Sequence, residues 1–425
     1  MRQTKDSNIP WIGIIPYDWA LIKGKYLFAQ KSEKGNSIDL QLLFPTQKYG
    51  VIPQSLYEDL TGMNAVKLKE SVDLESLKTI HKGGFCISLR SFQGGFEYSE
   101  YEGVVSPAYQ VFYPTRKVVS RYYKYLFKDS SFIEKMNSYT MSLRDGKNIA
   151  FEDFGNTIIP VPPLGDQKLI ADFLDNKCNE IDALINDLQK QIDTIEQYRR
   201  SVITEAITHG LNSVVETKES GIIWMGRIPS HWQIIKTKYL FEIVKRIAGE
   251  EGYDVLSVTQ QGLKVKDLND YGGQIAESYA GYQFVYPEDF VMNHMDLLTG
   301  WVDYSDKFGV TSPDYRVFRL IDKKANSLDY FKYVFQCCYL DKIYYSLGNG
   351  VAGVGRWRLQ AHTFKNFRLP VPPLEEQVAI AKYLDDKCSS ITQYIDANKQ
   401  KIAILQDYKK SIIYEYVTGK KEVPA

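Results

Sequence analysis

The sequence predicts an α+β fold. Two globular blocks of similar fold are separated by two long antiparallel helices, a coiled-coil spacer, in a pseudo-twofold internal repeat. Three observations carry this expectation. Residues 160–178 and 370–388 are identical at 12 of 19 positions at an offset of 210, and both open on Pro-Val-Pro-Pro-Leu. Residues 5–28 and 218–241 are identical at 14 of 24 positions at an offset of 213. After each Pro-Val-Pro-Pro-Leu runs a long stretch with apolar residues at heptad spacing. Self-similarity at a fixed offset marks a duplication. At 425 residues the chain is too long for one ordinary core and has room for two copies.

The first block spans 1–160 and the second 213–370. Each opens on a Trp-x-Gly-x-Ile-Pro-x-x-Trp segment, Trp11 to Trp19 and Trp224 to Trp232. The Gly and Ile-Pro positions read as turns, and the tryptophans as structural anchors. The middles diverge, but landmarks survive. Leu43 to Gln47 aligns with Leu256 to Gln260, and Ser106-Pro107-Ala108-Tyr109-Gln110-Val111-Phe112 with Ser312-Pro313-Asp314-Tyr315-Arg316-Val317-Phe318. Tyr123 to Phe127 and Phe331 to Phe335 look like short helices, with strands around them. A shared frame with dissimilar loops suits recognition of two different things, although drift after duplication produces the same pattern.

The helical segments follow at 161–212 and 371–425, with helices expected from about Gln167 to His209 and Gln377 to Thr418. The first seam is Leu174, Cys178, Ile181, Ile185, Leu188, Ile192 and Ile195. Its twin is Leu384, Cys388, Ile391, Ile395, Asn398, Ile402 and Leu405. Both stripes are narrow, which fits a two-helix coiled coil. The paired prolines block an earlier start, and acidic residues sit where a helix N-terminus favours them. Gly210 and Gly419 supply stops. Cys178 and Cys388 read as small buried hydrophobes. Asn398, in place of an apolar residue, either fixes register or sits at a solvated edge. One such helix would measure about 65 Å at 1.5 Å per residue, a scale compatible with DNA half-sites about 34–36 Å apart.

Composition narrows the function. The 52 basic and 52 acidic residues balance, which argues against non-specific coating of nucleic acid. The first block is mildly basic, and 31 tyrosines suit broad contact surfaces. The five cysteines are irregularly spaced, no signal peptide opens the chain and no apolar run reaches membrane-span length, so a cytoplasmic location is expected. No metal motif stands out.

With its paired Trp segments, its paired Pro-Val-Pro-Pro-Leu-x-x-Gln helix starts and its Leu-Asp-x-Lys-Cys stretches at 174–178 and 384–388, the chain resembles the specificity (S) subunit of type I restriction-modification enzymes. The resemblance covers essentially the whole sequence. It implies that each block is a target-recognition domain reading one half of a bipartite, asymmetric double-stranded DNA site. The helices would set the spacing and dock two adenine-methyltransferase (M) subunits, and restriction (R) subunits would join them. Catalysis would belong to those partners, as would S-adenosylmethionine, ATP and Mg; this chain would be non-catalytic and hold no cofactor or metal. The residues agree: there is no Asn/Asp-Pro-Pro-Tyr/Phe motif, no Gly-rich cofactor loop and no phosphate-binding GxxxxGK[ST], and the five histidines are scattered.

Base and phosphate contacts call for Arg, Lys, Asn, Gln, Ser and Thr on loops that differ between the blocks. The first-block candidates are Thr46, Gln47, Lys48 and Tyr49, then Arg90, Ser91 and Gln93, then Arg144, Lys147 and Asn148. The second-block candidates are Thr259, Gln260 and Gln261, then Asn293 and His294, then Arg356 and Arg358. Arg144 and Arg356 lead, because each lies in a Gly-containing segment shortly before a helix start. The competing reading is a two-module coiled-coil scaffold for protein partners, without DNA binding.

Overall fold

The computed structural model describes residues 2–34, 40–63, 76–87, 95–139, 149–267, 276–350 and 357–424. They form two compact units, Met1–Leu188 with Lys399–Ala425, and Gln189–Asn398.

In the first unit an antiparallel sheet runs in the order Phe28–Gln30, Gln110–Pro114, Phe85–Ile87, Phe96–Tyr98. Phe28, Phe85, Phe96 and Phe112 project from its strands into one buried cluster with Phe127, Phe132 and Phe154. The rings meet mostly edge to face, as at Phe28 and Phe85 (5.8 Å, 90°), the arrangement their quadrupoles favour. The helix Ser120–Leu126 seats Tyr122, Tyr123 and Leu126 on this core. Four two-stranded pairs surround it: Thr4–Asp6 with Ile14–Pro16, Ala20–Lys23 with Ile158–Val161, Leu43–Thr46 with Gly50–Pro53, and Lys78–Ile80 with Gly103–Val105.

The second unit repeats the plan. Its sheet runs Phe241–Val244, Arg316–Leu320, Phe290–Met292, Val302–Tyr304. The pairs are Thr217–Glu219 with Arg227–Pro229, Gln233–Lys236 with Arg368–Val371, Leu256–Thr259 with Gly262–Val265, and Gln283–Val285 with Gly309–Thr311. The differences lie between these elements. A helix, Gln54–Thr61, follows the hairpin in the first unit. Where the first unit has Ser120–Leu126 and Ser130–Ser138, the second has the longer Leu328–Leu340.

The long helices are Leu164–His209 and Leu374–Val417. Both begin directly after the paired prolines, three residues earlier than expected at Gln167 and Gln377. A proline carbonyl can accept the first helical bond while its missing N–H costs nothing, and Pro163 and Pro373 accept from Gln167 N and Gln377 N at 3.0 Å. Gly210 and Gly419, at φ 76° and 69°, end them in the left-handed region.

Within each unit the two helices run antiparallel. In the first, Phe173 packs on Tyr416 (4.5 Å) and Asp182 pairs with Lys409 (2.7 Å), so numbers rise along one helix as they fall along the other. In the second, Gln191 meets Tyr394, while Ile203 and Ile207 share a core with Ile380 and Leu384. Leu174, Cys178, Ile181, Ile192, Leu384, Ile391 and Ile395 are buried, and Ile185, Cys388 and Leu405 pack against the cores. Leu188, Ile195 and Ile402 are half-buried. The stripe widens at the block ends, where Ile170, Ala171, Ile380 and Ala381 are also buried, because the helix there packs on the sheet domain as well as on its partner. Asn398 is 1% exposed, with Nδ2 3.5 Å from Gln191 Oε1, so it lies inside the seam rather than at a solvated edge.

Candidate nucleic-acid interface

The motifs that repeat between the halves serve assembly within each unit. Gln167 is buried, donates to Pro162 O (2.8 Å) and accepts from Val119 N (2.8 Å). Gln377 does the same with Pro372 O (2.9 Å) and Ser327 N (2.9 Å). Each glutamine thus ties a long-helix start to the approach of a domain helix. The indoles of Trp19 and Trp232 donate to first-turn carboxylates of those starts, Asp166 (3.3 Å) and Glu376 (2.9 Å). Each also abuts the glycine that ends the other long helix: a Cβ on Gly419 would lie 3.0 Å from Trp19, and one on Gly210 3.1 Å from Trp232. The aspartates of the Leu-Asp-x-Lys-Cys stretches accept from Tyr125 (Asp175, 2.6 Å) and Tyr333 (Asp385, 2.7 Å).

Thr46 and Thr259 close hairpin turns. Thr46 Oγ1 donates to Gly50 O (3.0 Å) and accepts from Tyr49 N (3.0 Å); Thr259 Oγ1 donates to Gly262 O (2.9 Å) and accepts from Gln261 N (3.1 Å). Their hydroxyls hold the turns, and what the turns present differs. The first has three residues, with Gln47 and Lys48 exposed and the Lys48 ammonium 5.0 Å from the Tyr49 ring. The second has two, Gln260 and Gln261, both exposed, with Lys264 bonded to Gln261. Gly50 at φ 72° and Gly262 at φ 96° close the two turns in the left-handed region.

The first turn borders a cleft of about 440 Å³ within its own unit, lined by Lys48, Tyr49, Glu97, Lys124, Lys128 and Lys409 among others. Glu97 is 1% exposed and pairs with Lys128 at 2.6 Å. Burial nevertheless raises its pKa to about 7 against the pull of that ammonium.

In the second unit the fold brings together residues far apart in sequence. Asn293 and His294 follow the strand Phe290–Met292. Asn293 Oδ1 accepts from Met295 N (3.3 Å), and its carbonyl accepts from the Tyr339 hydroxyl (2.8 Å). His294 O accepts from Leu359 N (2.9 Å), while Arg358 bridges Asn349 through its backbone. Burial, with Arg316 and Arg358 adding to it, lowers the His294 pKa to about 4, so the ring is neutral at pH 7. Arg316 completes this group and was not among the sequence candidates. Its signal was available: it aligns with Gln110 in a stretch repeated at five of seven positions. Arg90, Ser91, Gln93, Arg144, Lys147, Asn148 and Arg356 lie outside the described residues.

Among the described residues no group of three or more His, Cys, Asp or Glu side chains could hold a metal ion. No described helix is long and apolar enough to cross a membrane.

The family model of the type I restriction modification DNA specificity domain matches twice, at residues 22–194 and 229–406. The chain belongs to this family, and so is a specificity subunit of the type I restriction-modification kind, whose general role is DNA specificity. It is similar to the type I restriction enzyme MjaVIII specificity subunit of Methanocaldococcus jannaschii, with 25% identity over 67% of this chain and 68% of that protein. It is also similar to the putative MjaX specificity subunit of the same organism, with 24% identity over 62% of this chain and 59% of that protein. In fold it resembles a chain solved in work on complex assembly and conformational transition of the type I R-M system. The TM-score is 0.66 at 13% identity, covering 96% of this chain and 99% of that one. It likewise resembles the HsdS subunit from Thermoanaerobacter tengcongensis, with a TM-score of 0.51 at 13% identity, covering 96% and 98%.

Proposed function

We propose that each unit reads one half of a bipartite, asymmetric DNA site, that the helices set the gap between the halves, and that they dock two adenine-methyltransferase subunits, to which restriction subunits join in the cytoplasm. Residues 1–160 and 213–370 are the target-recognition domains of this reading, and 161–212 and 371–425 the spacer. One observation carries it. The two units share sheet order and docking bonds, while their hairpin turns and intervening segments differ, as expected of one scaffold presenting two specificities. Thr46 to Tyr49, Thr259 to Gln261, Asn293, His294 and Arg358 are the described candidates for DNA contact, with Arg90, Ser91, Gln93, Arg144, Lys147, Asn148 and Arg356 completing the set.

Docking of two like subunits has its own support. Leu184 and Tyr394 are twins at the repeat offset and are 53% and 44% exposed; Tyr198 and Tyr408 are twins at 51% and 53%. Large exposed side chains repeated on both helices suit two copies of one partner.

Co-expression with an adenine methyltransferase subunit, followed by mapping of methylated adenines, tests the reading. The expected product is a complex of one chain with two methyltransferase subunits that methylates both strands of a split site. Methylation confined to a single continuous motif, or no complex at all, would remove it.

A further inference from the structure

Gln110 and Arg316 occupy the same place in the two units, on the second strand of the sheet, and do the same job. Gln110 Nε2 donates to Ile149 O (2.9 Å), and its Oε1 accepts from Phe151 N (2.8 Å). Arg316 Nη2 donates to Leu359 O (2.8 Å). Ile149 and Leu359 each lie just before a short helix, Phe151–Asn156 and Ala361–Asn366. A neutral amide therefore suffices as the anchor, yet the second unit uses a full positive charge.

That charge is poorly compensated. Arg316 is 6% exposed. Its guanidinium lies over the Phe364 ring at 4.9 Å and reaches Met292 Sδ at 3.9 Å, and the Tyr339 and Tyr344 phenols face it. Among the described residues no carboxylate pairs with Arg316 or with its neighbour Arg358, and residues 351–356 contain no Asp or Glu. Asp296, on the same loop as His294, directs its carboxylate to the Leu298 and Thr299 N–H groups and the Thr299 hydroxyl. A buried cation without a partner is unfavourable, and its field is strengthened by the low-dielectric surroundings. A guanidinium also matches the fork geometry of a phosphate.

We infer that the half-buried Arg358, backed by the buried charge of Arg316, forms a cationic site for a DNA phosphodiester in the second unit, at the place where the first unit carries the neutral Gln110. The two guanidiniums add to burial in keeping the His294 ring neutral, and a bound phosphate would offset their share. The inference rests on the DNA-reading assignment above and adds an asymmetry to it: this position contributes counterion release at the second half-site, whereas its counterpart Gln110 contributes none at the first.

Binding of the methyltransferase complex to its own site, measured across a salt series, tests this. R316Q installs the amide that serves in the first unit. The expected result is weaker binding and a slope of log affinity against log salt shallower by about one, with both half-site sequences unchanged. R316K should restore the slope. A folded R316Q with wild-type affinity and slope overturns the inference. Should R316Q fail to fold, R358Q carries the same expectation and the same overturning result. In the wild-type chain, the His294 titration midpoint, followed by NMR, should rise when the duplex is added; an unmoved midpoint counts against the site. A wild-type complex with no sequence-specific binding would instead fail the DNA-reading assignment itself.

Discussion

Glu97 holds a carboxyl group in a place that favours its protonated form. Its pKa is raised to about 7 from the ordinary glutamate value of 4.5, so between those values the folded chain holds a proton that the unfolded chain has released. The first unit accordingly loses stability as pH rises through that window, by something on the order of 2–3 kcal/mol. Hydrogen exchange of the sheet amides around Phe85 and Phe96 should report more protection at pH 5 than at pH 8. E97Q should flatten that difference, and an unchanged pH profile in E97Q would place its origin elsewhere. The residue types expected at an interface were readable in the sequence at this scale, but their neighbours were not. Thr46 and Thr259 were selected as contacts, and their hydroxyls are engaged inside the hairpin turns. Arg316 stands on a strand with Val317 and Phe318 buried beside it, and only the fold shows that this core position holds a charge.

The long helices and their docking bonds form the next level. The Pro-Val-Pro-Pro-Leu-x-x-Gln motif was visible as a repeat, and the reason for its glutamine lies in tertiary structure. Gln167 and Gln377 each join two backbone groups from separate segments, so losing the amide leaves a buried N–H and a buried carbonyl without that partner. Q377A is expected to destabilise the second unit by about 1–3 kcal/mol, and Q167A the first by a similar amount, read as shifts of the denaturation midpoint at constant slope. A change below about 0.5 kcal/mol in both would mean that water replaces the amide at little cost. The helices start three residues before Gln167 and Gln377, because the preceding proline carbonyls already accept helical bonds.

At the level of the whole molecule, the duplication governs. Two copies of one plan would supply the two reading units and the two faces for a repeated partner that the proposed function requires. Four residues inserted into each long helix, about one turn, should lengthen each by about 6 Å. If the helices set the gap, the methylated motif should keep both halves while the unspecified gap widens by about two base pairs at 3.4 Å each. Methylation mapping that returned the original gap would mean that something other than the helices sets the spacing.

The sequence by itself determined the duplication, the long helices and their heptad stripes, the opening Trp segments and the family resemblance. All of these are regularities of period or offset, and the physics behind them is local: helix periodicity, proline geometry and glycine at positive φ. Only the tertiary structure decided which partners the repeated residues bind, why each indole sits between one helix start and the glycine ending the other, and that Asn398 is buried. It also brought Arg316, His294 and Arg358 into one group. Those outcomes depend on which segments meet across tens or hundreds of residues, and on burial that shifts the proton affinity of an ordinary carboxylate, imidazole or guanidinium. Such effects belong to the folded neighbourhood of a side chain, which no spacing along the chain encodes.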